Sequence, residues 1–176
     1  MANRREGSRS ERREDVKVRV GGGIPGTAFH GKASRSGREP TLLYVSLLGF
    51  RLSSPAEIIK RIEEGFSFQA LERFQKNTQI PTDDLREVVA ITQRTLHRRK
   101  QGGRLEPDES DRLLRVSRVF ARALELFEGD GEAARRWFYT PARALGGERP
   151  IAFARTDLGT REVEALIDRL EQGVLT

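Results

Sequence analysis

The sequence contains no cysteine and only two histidines, His30 and His97, which lie far apart in the chain. Without cysteine the protein can form no disulfide, no thiolate metal site and no thiol nucleophile. Two separated histidines do not predict a metal cluster either. We therefore expect a protein with no metal site and no cofactor, in the cytoplasm as the default compartment.

Long hydrophobic runs are also missing. No segment approaches the roughly 18 consecutive apolar residues of a membrane-spanning helix. Residues 1 to 20 are rich in arginine, are interrupted by acidic residues and lack the apolar stretch of an export signal. The sequence therefore predicts neither a membrane anchor nor a secreted protein.

The motifs of common enzymes are absent or out of context. The stretch GGGIPG at 21–26 matches the dinucleotide-binding pattern G-x-G-x-x-G, but it opens no helix and no βαβ pattern surrounds it. No nucleophile–base pair, phosphate loop or metal-ligand spacing occurs elsewhere. We predict no catalytic residue and hence a protein that is not an enzyme.

Positive charge is concentrated in two segments of the chain. The formal net charge of +6 divides into +5 for residues 1–40, −1 for 41–92, +5 for 93–104 and −3 for 105–176. The segment 93–104 holds five basic residues and no acidic one. Contact with nucleic acid is therefore expected only at these two basic segments, and another kind of partner is expected for the C-terminal third.

The chain divides into three predicted parts. Residues 1–40 have too few apolar side chains to offset chain entropy, so we interpret them as a disordered basic tail. Residues 41–105 form a helical DNA-binding and dimerisation domain, and residues 106–176 form a second helical domain. The run TLLYVSLLGF at 41–50 is too short to decide between a strand and a helix.

Helix signals recur from residue 53 onward, and nothing predicts a sheet. Capping residues and apolar spacings of three and four predict helices from Ser54 to Glu64, around 68–74, from Pro81, from Thr92 to Gly102, from Pro107 to Gly129, around 133–138, and from a cap at Thr160 to Gly173. In the longest of these helices an inward stripe is predicted to comprise Leu113, Val116, Phe120, Ala123, Leu124 and Phe127. The fold class is therefore all-α.

The segment 83–105 has the spacing of a helix-turn-helix, with two short helical patterns about three residues apart. The second helix of such a unit enters the major groove of DNA, where arginine pairs with guanine and glutamine with adenine. The candidate DNA-binding residues are Thr92, Gln93, Arg94, His97, Arg98, Arg99 and Lys100, with Arg104 as a further phosphate contact. Arg98 to Lys100 are equally compatible with a solvated helix end, where the helix dipole favours cations.

Residues 94–174 carry an ordered series of signals. It runs from RTLHRR through Leu105 and Glu109-Ser110-Asp111 to Trp137, and then through Pro141, Leu145, Pro150, Arg155-Thr156, Gly159 and Glu162-Val163 to Leu170 and Gly173-Val174. In this order the chain closely resembles the Xre/MbcA/ParS family of antitoxins from about residue 41 to its end. The resemblance implies an Xre/Cro-like helix-turn-helix domain followed by a small toxin-binding domain.

The resemblance also implies a partner, because antitoxins of this kind bind a RES-domain toxin that degrades NAD or transfers ADP-ribose from it. The helix-turn-helix then lets the pair repress its own operon. The toxin-binding positions carried over from the family are Arg155, Thr156, Arg161, Arg169, Gly173 and Val174. Ala142 stands where relatives often have an asparagine after the proline.

Simpler interpretations of these residues remain open. Trp137 is better explained as an anchor of the core than as a contact, since buried aromatics dominate small cores. Arg155, Arg161 and Arg169 suit an interface, in which arginine is enriched, but surface arginines are mostly solvated.

Two other functions are compatible with the sequence. One is a solitary helix-turn-helix regulator without a toxin, and the other is an adaptor in which the helix-turn-helix is structural. Because helix-turn-helix proteins usually bind two half-sites as two-fold dimers, we expect a homodimer within a larger complex with the toxin and operator DNA.

Overall fold

The structure is a computed structural model that describes residues 43–51 and 54–173. The predicted basic tail at 1–40 and the candidate residue Val174 lie outside the described residues. The elements in chain order are α1 (Leu43–Leu47), α2 (Pro55–Glu63), α3 (Phe68–Thr78), α4 (Thr82–Val89), α5 (Gln93–Gly102), α6 (Pro107–Leu126), α7 (Gly131–Tyr139), a 3₁₀ turn (Arg143–Leu145), α8 (Pro150–Phe153) and α9 (Asp157–Glu171). No strand occurs in the described ranges, which confirms the all-α prediction, and the segment left open as strand or helix forms α1.

Local capping explains where several helices begin. Ser54 has an extended backbone and accepts a hydrogen bond from the Glu57 amide at 3.3 Å, and Pro55 occupies the first position of α2. Asp130 caps α7 in the same way by accepting from the amides of Glu132 and Ala133. The predicted start of α2 is therefore confirmed.

The predicted start of the last helix is wrong. Thr156, not Thr160, is the N-cap of α9: its backbone is extended, and its hydroxyl accepts from the Gly159 amide at 3.0 Å. Thr160 is buried inside the first turn, where its hydroxyl donates to the Thr156 carbonyl at 2.8 Å. Two threonines four residues apart both fit the pattern of a cap, and only the backbone conformation distinguishes them.

Helix α6 is the centre of the molecule and packs against α1, α2, α3, α4, α7 and α9. The predicted stripe is confirmed for its four buried members, Leu113, Val116, Phe120 and Ala123, while Leu124 and Phe127 are partly buried against the same core. The Phe120 ring lies edge-to-face with Phe74 of α3 at 6.3 Å and with Phe138 of α7 at 5.6 Å.

One hydrophobic core thus joins the two predicted domains. The predicted boundary at 105/106 falls just before α6, and α6 contacts helices on both sides of it. Trp137 lies partly buried at the edge of this core, with its ring 6.4 Å from those of Phe127 and Phe138. The structure therefore places Trp137 as an anchor of the core, as the sequence favours.

Candidate functional site

The helix-turn-helix consists of α4, a three-residue turn and α5. Ala90 ends α4 in the left-handed conformation, at φ 57° and ψ 48°. Ile91 is buried and fixes the turn to the core. Thr92 then starts α5, and its hydroxyl accepts from the Thr95 amide at 3.1 Å. The predicted spacing and the predicted cap at Thr92 are both confirmed.

Helix α5 turns most of its side chains to solvent. None of its residues is fully buried, and Leu96 is the one that packs, partly buried, against the core. Gln93, Arg94, His97, Arg98 and Lys100 are exposed. The side chains of Arg94 and Arg98 make no hydrogen bond or ion pair with any described residue, so both guanidinium groups are available to an external partner.

Two other candidates on α5 have local contacts but stay exposed. The Lys100 ammonium lies 3.3 Å from a Glu72 carboxylate oxygen, with about two thirds of the lysine side chain in solvent. The His97 Nε2 lies 3.1 Å from the side-chain amide nitrogen of Gln101. Exposed contacts of this kind contribute little to stability, so they would compete weakly with a phosphate.

Arg99 differs from its neighbours because it is held inside the protein. Its guanidinium donates from Nε to Glu109 at 2.8 Å and from Nη1 to Glu106 at 2.8 Å, and only 15% of its side chain is exposed. The hydrogen bond that Arg99 donates to the Glu109 carboxylate raises the pKa of Arg99 above its ordinary value, against the opposing effect of burial. Arg99 therefore joins α5 to the start of α6, a structural contact that the sequence did not predict.

Arg104 is also held by contacts within the protein. Its Nη1 donates to the carbonyl oxygens of Glu64 at 2.6 Å and Gly65 at 3.0 Å. The adjoining backbone pairs as well, since the Leu105 amide donates to the Phe66 carbonyl at 2.8 Å. The end of α5 is thus fixed to the loop between α2 and α3, and the available cations of α5 are Arg94, Arg98 and Lys100.

The candidate toxin-binding residues fall at the two ends of α9. Arg155, Thr156 and Arg161 lie at its start. Arg155 is paired with Glu87 of α4 at 3.3 Å, and Arg161 with Asp157 at 2.9 Å. Arg169 lies about 20 Å from Thr156, because the helix rises 1.5 Å per residue, and Gly173 lies just beyond the end of the helix. Thr156 is the helix cap described above, which gives it a structural role whatever else it contacts.

The C-terminal elements also touch the helix-turn-helix directly. The Tyr139 hydroxyl of α7 donates to a carboxylate oxygen of Asp84 on α4 at 2.6 Å. Burial and this hydrogen bond raise the pKa of Tyr139 well above its ordinary value. The sequence does not predict this contact, because no local pattern marks a pairing across 55 positions.

This contact predicts a stability that depends on alkaline pH. At pH 8 the free energy of unfolding of Tyr139→Phe should be lower than that of the wild type by about 2 kcal/mol, since the acceptor is charged. Tyr139 ionises near pH 10 in the unfolded chain but at higher pH in the folded protein, so the advantage of the wild type is complete below pH 10 and declines as pH rises further. Urea unfolding of both proteins at pH 8 and pH 11 checks this, and a difference that is the same at both values would contradict it.

The described part of the chain offers no group of His, Cys, Asp and Glu side chains that could hold a metal ion. Within the same residues, no helix has the length and apolar character needed to cross a membrane.

Two family models match the chain in succession. Residues 57–118 match the antitoxin Xre-like helix-turn-helix domain, and residues 122–173 match the antitoxin Xre/MbcA/ParS C-terminal toxin-binding domain. The chain belongs to the Xre family of antitoxins. The resemblance carried by residues 94–174 is thereby confirmed.

Curated relatives agree with this assignment. The protein named antitoxin Xre from Yersinia enterocolitica is 35% identical over 130 residues, which cover 73% of this chain and 88% of the relative. The antitoxin Xre from Photorhabdus laumondii is 32% identical over 130 residues, which again cover 73% of this chain and 88% of the relative. Antitoxin Xre from Pseudomonas putida is 30% identical over 123 residues, covering 69% of this chain and 76% of the relative.

The two matches of this Xre-family chain divide the candidate DNA-binding and toxin-binding residues between them. The helix-turn-helix match contains α5 and ends within α6, and the toxin-binding match contains α7, α8 and α9. Arg94 and Arg98 thus belong to the first match, and the arginines at the start of α9 belong to the second.

Proposed function

We propose that this chain neutralises a RES-domain toxin, one that degrades NAD or transfers ADP-ribose, by binding it directly in the cytoplasm. In this proposal the chain has no catalytic activity and needs no cofactor. It also represses its own operon through α5. The observation that carries the proposal is that one hydrophobic core supports both the exposed face of α5 and the exposed start of α9 with Arg155 and Arg161.

Growth measurements test the antitoxin role. We expect that cells induced for the open reading frame beside this gene stop growing, and that coexpression of this chain restores growth. An NAD assay on the arrested cells then separates NAD degradation from ADP-ribose transfer to a protein. Absence of arrest without this chain would favour the solitary regulator.

Operator binding should depend on Arg94. Replacing Arg94 by alanine is expected to weaken binding to the promoter fragment about tenfold, because one arginine–guanine pair is worth on the order of 1–3 kcal/mol. Fluorescence anisotropy with the labelled fragment measures this change at a fixed salt concentration. Arg136→Ala removes another exposed arginine, from α7, and serves as the matched control, with unchanged binding expected.

Either of two results would count against this role of Arg94. Equal losses in both variants would indicate a general effect of charge. Absence of binding by the wild type would favour an adaptor whose helix-turn-helix is structural.

We further propose that the chain binds its operator as a homodimer, which assembles with the toxin into a larger complex. Two-fold symmetry would place two copies of α5 at half-sites one helical turn apart. Sedimentation at operator-binding concentrations should detect the dimer, and a monomer throughout that range would refute it.

A further inference from the structure

The first turn of α9 presents a large apolar side chain to solvent. Leu158 is 70% exposed, and among the described residues the one other exposed large hydrophobic side chain is Ile59 of α2, at 56%. The buried face of α9 consists of other positions, including Val163, Leu166 and Ile167. Leu158 therefore lies outside the core. Because single exposed leucines are common on protein surfaces, a role for Leu158 depends on the residues around it.

The backbone around Leu158 is fixed by contacts on both sides. On one side Thr156 caps the helix, and on the other Gly159 is buried against α8. A Cβ atom at Gly159 would overlap the carbonyl oxygen of Phe153, so the two segments are in direct backbone contact. A residue on such a fixed backbone loses little backbone entropy when it binds, which favours its use in an interface.

Arginines flank Leu158 at the positions three residues before and three residues after it. Arg155 keeps 47% of its side chain exposed and Arg161 keeps 71%. Each is held in place by one carboxylate, Glu87 or Asp157. An apolar centre bordered by oriented arginines is the composition of the central part of a protein–protein interface.

We propose that Leu158 is the apolar anchor of the toxin interface and enters an apolar pocket on the toxin. Carboxylates at the rim of that pocket would accept hydrogen bonds from Arg155 and Arg161. The proposal rests on the proposed antitoxin function, because Leu158 lies within residues 122–173, which match a toxin-binding domain. It adds a residue that family resemblance did not supply and identifies the occupant as the toxin rather than a second copy of this chain.

The experiment compares Leu158→Ala with Ile59→Ala in the full chain. The probe is the tagged product of the open reading frame beside this gene, coexpressed with wild-type and variant chains that carry different tags. The ratio of the two chains in the purified complex gives their relative affinity. Leu158→Ala should bind about 30-fold more weakly, the effect of a central anchor, whereas Ile59→Ala should compete equally with the wild type.

The outcomes separate this proposal from the function on which it rests. If the wild-type chain is not retained by the tagged protein, the antitoxin function itself fails. If the wild type is retained and Leu158→Ala competes equally, the antitoxin function stands and the anchor is refuted. Sedimentation of each variant alone is the second measurement: a loss of self-association in Leu158→Ala would make another copy of this chain the occupant and overturn the proposal. Both substitutions are at exposed positions, so circular dichroism should show unchanged folding.

Discussion

Replacing Gly65 by alanine should lower the free energy of unfolding by about 3 kcal/mol, within the range of severe single substitutions. Gly65 has a φ of +77°, which disfavours any side chain, and an added Cβ would overlap the carbonyl oxygen of Leu105. That carbonyl belongs to the loop that joins α5 to α6. The alanine would therefore push the end of α5 away from the loop between α2 and α3.

Gly103 provides a matched control for this prediction. It has a nearly equal φ of +72°, but nothing lies within 4 Å of an added Cβ. Gly103→Ala should therefore cost about 1 kcal/mol, the penalty of the backbone conformation alone. Urea unfolding of the two variants measures both values. Equal losses would mean that the contact between Gly65 and Leu105 contributes nothing.

Replacing Glu109 by glutamine should lower the free energy of unfolding by about 3 kcal/mol, because it removes the buried partner of the Arg99 guanidinium and leaves that charge with only the more exposed carboxylate of Glu106. Only 8% of the Glu109 side chain is exposed, and its carboxylate accepts hydrogen bonds from the Arg99 guanidinium and from the Glu106 amide. The substitution keeps the size of the side chain but removes its charge.

Glu106→Gln is the control, because Glu106 pairs with the same arginine while 59% of its side chain remains in solvent. Its loss should stay below about 1 kcal/mol, as for exposed ion pairs generally. Thermal unfolding of the two variants, followed by circular dichroism, distinguishes them. A larger loss for Glu106→Gln would show that the outer carboxylate, not the buried one, holds Arg99.

The features that could be predicted from the sequence are those that depend on residues close together in the chain. The caps at Ser54 and Thr92 and the stripe in α6 are local patterns, and the structure confirms each of them. The error at Thr160 is also local in origin, since Thr156 is an equally suitable cap four residues earlier. The extended backbone at Thr156, which the sequence does not show, determines that this residue is the cap.

What depends on distant residues was not predictable from the same patterns. Arg98, Arg99 and Lys100 form one basic run, yet only Arg99 turns inward, because Glu109 lies across the following turn. Arg104, predicted as a phosphate contact, likewise binds carbonyl oxygens about 40 positions earlier in the chain, which no local pattern indicates. Leu158 did carry a signal, since it is apolar but out of phase with the buried stripe of α9.

The central position of α6 determines what proteolysis would do to the protein. A protease cut near residue 105 would separate α5 from α6, and each fragment would expose apolar surface that the intact core covers. Neither half could persist as a stable remnant that keeps one binding surface without the other. In a cell, a single cleavage would therefore remove the helix-turn-helix and the toxin-binding domain together. Under the proposed function, the lifetime of the intact chain would then limit toxin inhibition and operon repression equally.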